Sequence, residues 1–159
     1  MIDTRRADVE DAAELMRLRT VMLEAMPGSE VTAGPWVAAG ITILRERLAD
    51  PSDLLAAFVV DRPDQPGLAA CVVGAIDQRL PGPKDPTGQR GYVFSVATDP
   101  AYRRRGYSRA CMTALLAWYA QRGIGAVDLR ASPDGEPLYT DLGFTRTPLP
   151  GMRLFIPAR

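Results

Sequence analysis

The chain contains no histidine, two cysteines and one lysine among its 159 residues. The absence of histidine excludes a Ser-His-Asp triad, a Cys-His pair and a histidine-ligated metal, and two cysteines are too few for a four-cysteine zinc site. Lys+Arg and Asp+Glu both number 19, so the formal net charge is zero. Zero charge argues against nucleic acid as a partner, because proteins that bind it usually carry a basic excess. A catalytic group here therefore has to be a tyrosine, a serine, a cysteine, a carboxylate, Lys84 or a backbone amide.

Long hydrophobic runs are lacking as well. The longest, at 67–76, is too short to span a bilayer, and no apolar signal region follows the first six residues. We therefore expect a cytoplasmic protein without a membrane segment. Cys71 and Cys111 each lie in an apolar run, far apart in the sequence, which predicts two buried and reduced thiols.

The length suits one domain over residues 1–159. Two Pro/Gly-rich stretches are expected to be loops, 27–35 and 81–91. Apolar residues at helical spacing predict helices at 9–25, 36–49, 104–122 and 134–142. Short runs of strand formers predict strands at 2–6, 54–60, 68–76, 92–98, 127–131, 144–147 and 152–156.

The order of these elements predicts how the strands pair. A short turn joins the strands at 54–60 and 68–76, which is typical of an antiparallel hairpin. A full helix separates 92–98 from 127–131, which is typical of a parallel pair with a right-handed crossover. The predicted fold class is α/β, with a mixed, mostly antiparallel sheet and one parallel strand-helix-strand crossover.

An arginine-rich turn connects the strand at 92–98 to the helix that follows. Arg103, Arg104 and Arg105 precede Gly106, and a glycine lets the backbone approach a ligand closely. The first amides of a helix lack intrahelical partners and lie at its positive end, so this turn suits phosphates. The pattern matches neither a Walker loop nor a dinucleotide fingerprint. A solvated surface turn would have the same composition, so the turn alone leaves both interpretations open.

Two motifs together resemble the GCN5-related N-acetyltransferase (GNAT) superfamily, and the predicted order of elements is similar over essentially the whole chain. The first is Val96-Ala97-Thr98-Asp99-Pro100 followed by Arg103-x-x-Gly106-x-Ser108. The second is Leu138-Tyr139-x-x-Leu142-Gly143-Phe144. Ser108 departs from the glycine or alanine of the family's phosphate signature but is still small.

The resemblance implies acetyl-CoA as co-substrate, no metal, and direct acetyl transfer to a primary amine of a small molecule or a protein or peptide. Amides of the turn would hold the pyrophosphate, and the preceding strand would hold the pantetheine arm and polarise the thioester carbonyl. Small folds of this family often pair as homodimers. Pro133 stands where members often carry an asparagine that contacts CoA. The implied cofactor-binding residues are Val96, Ala97, Thr98, Arg103, Arg104, Arg105, Gly106, Tyr107, Ser108 and Arg109.

The resemblance also implies catalytic roles. Tyr139 matches the family's tyrosine that protonates the departing thiolate, and a phenol with a pKa of about 10 is protonated at neutral pH. The alternative is a tyrosine that packs a short helix onto the sheet. Asp128 is a candidate base acting through water, with Glu24 and Glu30 as further candidates, and Ser95 would orient water or substrate.

Two other functions stay open from the sequence. One is a non-catalytic acyl-CoA-binding or regulatory module on the same scaffold, and the other is a nucleotide-phosphate module. Tyr139 favours the enzyme, because a binding module needs no proton donor. The sequence does not identify the acceptor amine. We expect the region of the first two helices, with the loops at 27–35 and 81–91, to shape its pocket.

Overall fold

One five-stranded sheet organises the chain, and the computed structural model describes all residues from 1 to 159. The strand order is β1-β2-β3-β4-β5. Neighbouring strands from β1 to β4 pair antiparallel, whereas β4 and β5 pair parallel. The predicted mixed sheet with one parallel crossover is therefore confirmed. The strands are β1 (Arg5–Arg6), β2 (Leu55–Asp61), β3 (Leu68–Gln78), β4 (Gln89–Thr98) and β5 (Val127–Leu129).

Helices cover both faces of the sheet. Helices α1 and α2 pack on one face and α3 on the other, so each face has its own apolar cluster. A capping box between Asp8 and Asp11 starts the first helical segment, which is one 3-10 turn before it becomes α1. The helices are α1 (Ala12–Glu24), α2 (Pro35–Ala49), α3 (Tyr107–Gln121) and α4 (Glu136–Asp141), with 3-10 turns at Val9–Asp11 and Pro100–Tyr102.

The two cysteines lie on opposite sides of the sheet, one in each cluster. Both are buried and unpaired with one another, as predicted. Burial raises the pKa of the Cys71 thiol strongly and that of Cys111 to about 12. Because the thiolate is the nucleophilic form, neither residue is suited to covalent catalysis.

Two glycines make room for the ring of Tyr119, which is buried between α3 and the sheet. A methyl group at Gly91 would lie 2.8 Å from the ring, and one at Gly74 would meet the hydroxyl. The hydroxyl donates to the carbonyl oxygens of Ala75 at 2.9 Å and Tyr92 at 3.1 Å. Because β3, β4 and α3 all contact this ring, it holds the crossover helix α3 against the two strands.

A β-bulge interrupts β4 at Ser95. Cys71 pairs with Ala97 and Val73 pairs with Phe94, so two residues of β4 lie opposite Val72 alone. Ser95 has a φ of +54°, which is uncommon for a residue with a side chain. The parallel pairing of β4 with β5 also ends just before this point, at Val93 and Leu129. The two parallel strands therefore separate at the bulge and leave an opening between them.

The structure corrects the end of the chain. The strands predicted at 144–147 and 152–156 are absent, and residues 145–159 are exposed and make no hydrogen bonds between backbone groups. Pro148, Pro150 and Pro157 have no N–H to donate, which interrupts any ladder along this segment. Helix α3 also begins at Tyr107 rather than 104, because the arginine-rich turn occupies the preceding residues.

Candidate active site

An open cleft of about 800 Å³ lies where β4 and β5 separate. This volume is in the range of pockets for small molecules and cofactors. Its walls come from the end of α1, the last residues of β4, the turn before α3, the loop before α4, and α4 itself. The cleft therefore joins the two motifs that the sequence singled out, although they are about thirty residues apart.

The arginine-rich turn forms one end of the cleft. Asp99 caps the 3-10 turn Pro100–Tyr102 through the N–H of Ala101, and the chain then passes through left-handed φ values at Arg104, +65°, and Gly106, +81°. The backbone N–H groups from Arg103 to Arg109 donate to no acceptor within the protein. Unpaired amides before a helix form a concave site for anions, which the helix dipole reinforces.

The side chains of this turn add positive charge. Arg103, Arg104 and Arg105 are exposed, and none of them pairs with a carboxylate. Ser108, the departure from the family signature, shares a hydrogen bond of 2.6 Å with the Thr98 hydroxyl and so ties α3 to β4. The unpaired amides and the guanidinium charges that no carboxylate neutralises together make this turn suited to an anion.

Tyr139 reaches the same cleft from α4. Its ring is 8% exposed and packs edge-on against Phe144, with ring centroids 6.0 Å apart. Gly143, at φ +97°, ends α4 so that the N–H of Phe144 donates to the Tyr139 carbonyl, which explains the physical role of the Leu-Gly-Phe motif. A side chain at Gly135 would lie 3.0 Å from the Tyr139 ring, so this glycine keeps space beside it.

The Tyr139 hydroxyl makes no hydrogen bond within the protein and lines the cleft. Burial raises its pKa above the ordinary value of 10. The phenol therefore stays protonated at neutral pH and is available to donate a proton to a group in the cleft.

The candidate bases and Ser95 do not line the cleft: Asp128, Glu24, Glu30 and Ser95 all lie outside its lining. Asp128 is on β5, half-buried, and accepts a 3.3 Å hydrogen bond from Arg90. Ser95 is buried at the bulge, and its hydroxyl accepts a hydrogen bond from Arg19 of α1. Tyr139 and all the implied cofactor-binding residues line the cleft except Arg105, whose guanidinium lies over the Tyr102 ring.

Residues of α1 form one side of the cleft: Val21, Met22, Ala25 and Met26, together with Pro27 of the loop that follows. This is part of the region that we expected to shape the acceptor pocket, but the helical spacing of these residues indicated only an apolar stripe. The loop at 81–91, which we also expected to contribute, has no residue in the lining of the cleft.

A partly buried ionic cluster anchors the strand that leads into the turn. Arg17 and Arg62 each donate to the Asp99 carboxylate at 2.8 Å, and Glu14 accepts from Arg17 and from the N–H of Leu68. Burial opposes ionisation of Asp99, but hydrogen bonds from Arg62, the Ala101 N–H and Arg17 lower its pKa overall. The cluster fixes α1 and the β2–β3 turn against the end of β4.

The structure has no grouping of three or more cysteine or acidic side chains that could hold a metal ion. None of its helices combines the length and the apolar character needed to cross a membrane.

Comparison with solved structures finds the same fold in acetyltransferases. A predicted acetyltransferase with acetyl-CoA from Clostridium acetobutylicum is 25% identical, with a TM-score of 0.83 over 98% of this chain and 96% of that one. A GCN5-related N-acetyltransferase from Ralstonia eutropha is also 25% identical, with a TM-score of 0.78 over 96% and 97% of the two chains. Glucosamine-6-phosphate N-acetyltransferase from Arabidopsis thaliana shares the fold, with a TM-score of 0.76 at 15% identity over 98% and 99% of the chains.

Sequence comparison agrees with the structural one. Mycothiol acetyltransferase from Rhodococcus erythropolis is 29% identical over 86% of this chain, and the chain spans 44% of that protein's length. The sequence model of the acetyltransferase (GNAT) family matches residues 15–144. The predicted resemblance and enzyme class are thereby confirmed, and the chain belongs to the acetyltransferase (GNAT) family, whose members are N-acetyltransferases that use acetyl-CoA.

Proposed function

We propose that this chain transfers the acetyl group of acetyl-CoA directly to a primary amine, with Tyr139 as the general acid. The observation that carries the proposal is that one cleft contains both the unpaired amides at 103–109 and the free Tyr139 hydroxyl. An anion site alone would suit any phosphate ligand. A protonated phenol in the same cleft adds the group that a departing thiolate requires.

The turn before α3 would hold the pyrophosphate of acetyl-CoA. Its unpaired amides would donate to phosphate oxygens, and Arg103 and Arg104 would neutralise charge beside them. The residues that the family resemblance implies for cofactor binding all line the cleft apart from Arg105; they are Val96 to Thr98 and Arg103 to Arg109. Beyond the bulge, where β4 no longer pairs with β5, the backbone of Val96 and Thr98 would pair with the pantetheine amides as an added strand would.

Acetyl-CoA supplies an activated thioester, and residues of the chain would donate and accept the protons that the transfer requires. The amine nitrogen forms a bond to the acetyl carbon as the carbon–sulfur bond breaks. Tyr139 gives its proton to the sulfur, and a backbone N–H beside Val96 stabilises the charge that develops on the carbonyl oxygen. The proton of the attacking amine leaves through water, for which Asp128 is our proposed acceptor and Ser95 an orienting group.

The acceptor is proposed to be the amine of a small molecule or of a peptide. Proteins of the same fold are named for such substrates, among them glucosamine 6-phosphate in the Arabidopsis enzyme. The relative from Rhodococcus is named for mycothiol, whose acetylation is one specific candidate for this chain. Homodimer formation and a cytoplasmic location stay predictions.

Replacing Tyr139 with phenylalanine tests the acid role. We expect kcat for release of the CoA thiol to fall about 10²-fold or more, the usual contribution of a positioned acid, with little change in acetyl-CoA affinity. Tyr92→Phe is the control, because Tyr92 does not line the cleft and its hydroxyl makes no hydrogen bond in the protein. Turnover of Tyr139→Phe equal to that of the wild type would remove Tyr139 from the mechanism. Tight acetyl-CoA binding with no thiol release from any of a panel of primary amines would favour a non-catalytic binding module instead.

A further inference from the structure

Arg19 is a half-buried cation without a counter-ion. Its guanidinium donates to the Ser95 hydroxyl at 2.5 Å and makes no ion pair. Arg17, two residues earlier on α1, is neutralised by Glu14 and Asp99. The other arginines without a carboxylate partner are all exposed to solvent: Arg45, Arg47, Arg103, Arg104, Arg105, Arg130, Arg153 and Arg159.

Arg19 and Ser95 do not themselves line the cleft, but each is a near neighbour of a residue that does. Ser95 is the strained residue of the bulge, and the next residue along β4, Val96, lines the cleft. On α1, Met22 follows Arg19 by one helical turn and lines the cleft as well. Arg19 therefore comes from a different element than the arginines of the pyrophosphate turn and lies beside the bulge instead.

A guanidinium and a serine hydroxyl in this arrangement form a recognition pair for an anion. Arg19 uses one N–H for Ser95 and retains others in a planar fork that matches a carboxylate or phosphate. Ser95, whose oxygen accepts from Arg19, still has its own O–H to donate. A partly desolvated charge is costly without a partner, and an anionic group on a ligand would supply one.

We propose that the acceptor amine carries a carboxylate or a phosphate and that Arg19, with Ser95, binds this group. The inference rests on the proposed acetyl transfer and narrows its acceptor to anionic amines. The turn before α3 would then bind the cofactor's pyrophosphate, and Arg19, beside the cleft, would select the acceptor.

The test compares amines in pairs that differ in one anionic group. Phenylalanine against phenylalaninamide probes a carboxylate, and glucosamine 6-phosphate against glucosamine probes a phosphate. We expect the wild-type protein to favour the anionic member of at least one pair by about tenfold or more in kcat/KM for thiol release. Arg19→Met should abolish this preference through KM for the anionic amine, with KM for acetyl-CoA unchanged, and Arg19→Lys should retain part of it. Arg45→Met, which removes an exposed arginine of α2 that also lacks an ion pair, should change neither.

Calorimetric titration of the same four amines into the CoA-saturated protein separates this inference from the function on which it rests. An anion preference in binding that Arg19→Met removes supports the site even without turnover, whereas absent thiol release alone overturns the acetyl transfer. Equal binding of charged and neutral amines, or a preference that survives Arg19→Met, overturns the anion site. In that case Arg19 serves only to hold Ser95 in its left-handed conformation.

Discussion

Replacing Gly106 with alanine probes the backbone cradle before α3, and the other end of the same helix offers a matched control. Gly106 has a φ of +81° and Gly123 a φ of +72°. A methyl group at Gly106 would lie 3.4 Å from Ile2 Cδ1, and one at Gly123 would meet nothing within 4 Å. Because neither methyl clashes, each substitution costs what an L side chain costs in the left-handed region, about 1–2 kcal/mol.

The two variants should therefore lose stability alike but differ in cofactor binding. We expect both to show a Tm lower by about 2–8 °C, as that free energy predicts for a chain of this size. If Gly106→Ala relieves its strain by rotating the backbone, the amides of the turn no longer converge. Losing one charge-assisted hydrogen bond of about 1.5–3 kcal/mol would weaken acetyl-CoA binding by about 10- to 100-fold. Gly123 is remote from the cleft, so Gly123→Ala should bind acetyl-CoA as the wild type does.

Thermal unfolding and calorimetric titration with acetyl-CoA, run on both variants, measure the two effects separately. A Kd of Gly106→Ala equal to that of the wild type would show that the backbone of this turn does not hold the cofactor. A loss of affinity in Gly123→Ala equal to that in Gly106→Ala would assign the effect to general destabilisation of α3.

Further predictions concern the packing and the ionic cluster that support the site. Gly91→Ala places a methyl 2.8 Å from the Tyr119 ring and should lower the free energy of unfolding by about 1–3 kcal/mol, measured by chemical denaturation. An unchanged denaturation midpoint would show that the ring has room for the methyl. Asp99→Asn leaves Arg17 and Arg62 without their shared carboxylate and should cost about 3 kcal/mol. Because the pKa of Asp99 lies below its ordinary value of 3.8, its contribution is complete above that pH and is lost as the pH falls further. The wild type should then lose stability more steeply than Asp99→Asn below about pH 4, and parallel curves would refute this role.

Hydrophobic periodicity was sufficient to predict most of the helices and strands. It failed where a strand depends on pairing with residues that are distant in the sequence. Helix α2 and the β2–β3 hairpin lie close to their predicted bounds, because amphipathic spacing and turn residues act locally. The segment 152–156 has the composition of a strand, but a strand also needs a partner edge. Residue composition cannot show that this segment pairs with nothing, and its apolar side chains are exposed.

The bulge at Ser95 was hidden for a different reason. Residues 93–97 are largely apolar, because helices cover both faces of β4, so no alternation of polar and apolar residues marks the extra residue. The two motifs pointed to Tyr139 and to the turn, since each is local. Arg19 carried no signal: its role depends on a contact between residues 76 positions apart.

The arrangement of arginines explains how a chain of zero net charge can present a strongly cationic cleft. Asp99 neutralises two arginines at once, Arg17 and Arg62, and its other oxygen caps the 3-10 turn that leads into Arg103. The carboxylate thus neutralises the arginines beneath the turn, where burial makes an unpaired charge costly. The arginines of the turn itself have no carboxylate partner, and there an anionic ligand can supply one. Protonation of Asp99 would release both arginines and the cap together. The cofactor site should therefore weaken in acid before the rest of the fold unfolds, since the turn depends on this one carboxylate whereas the sheet does not.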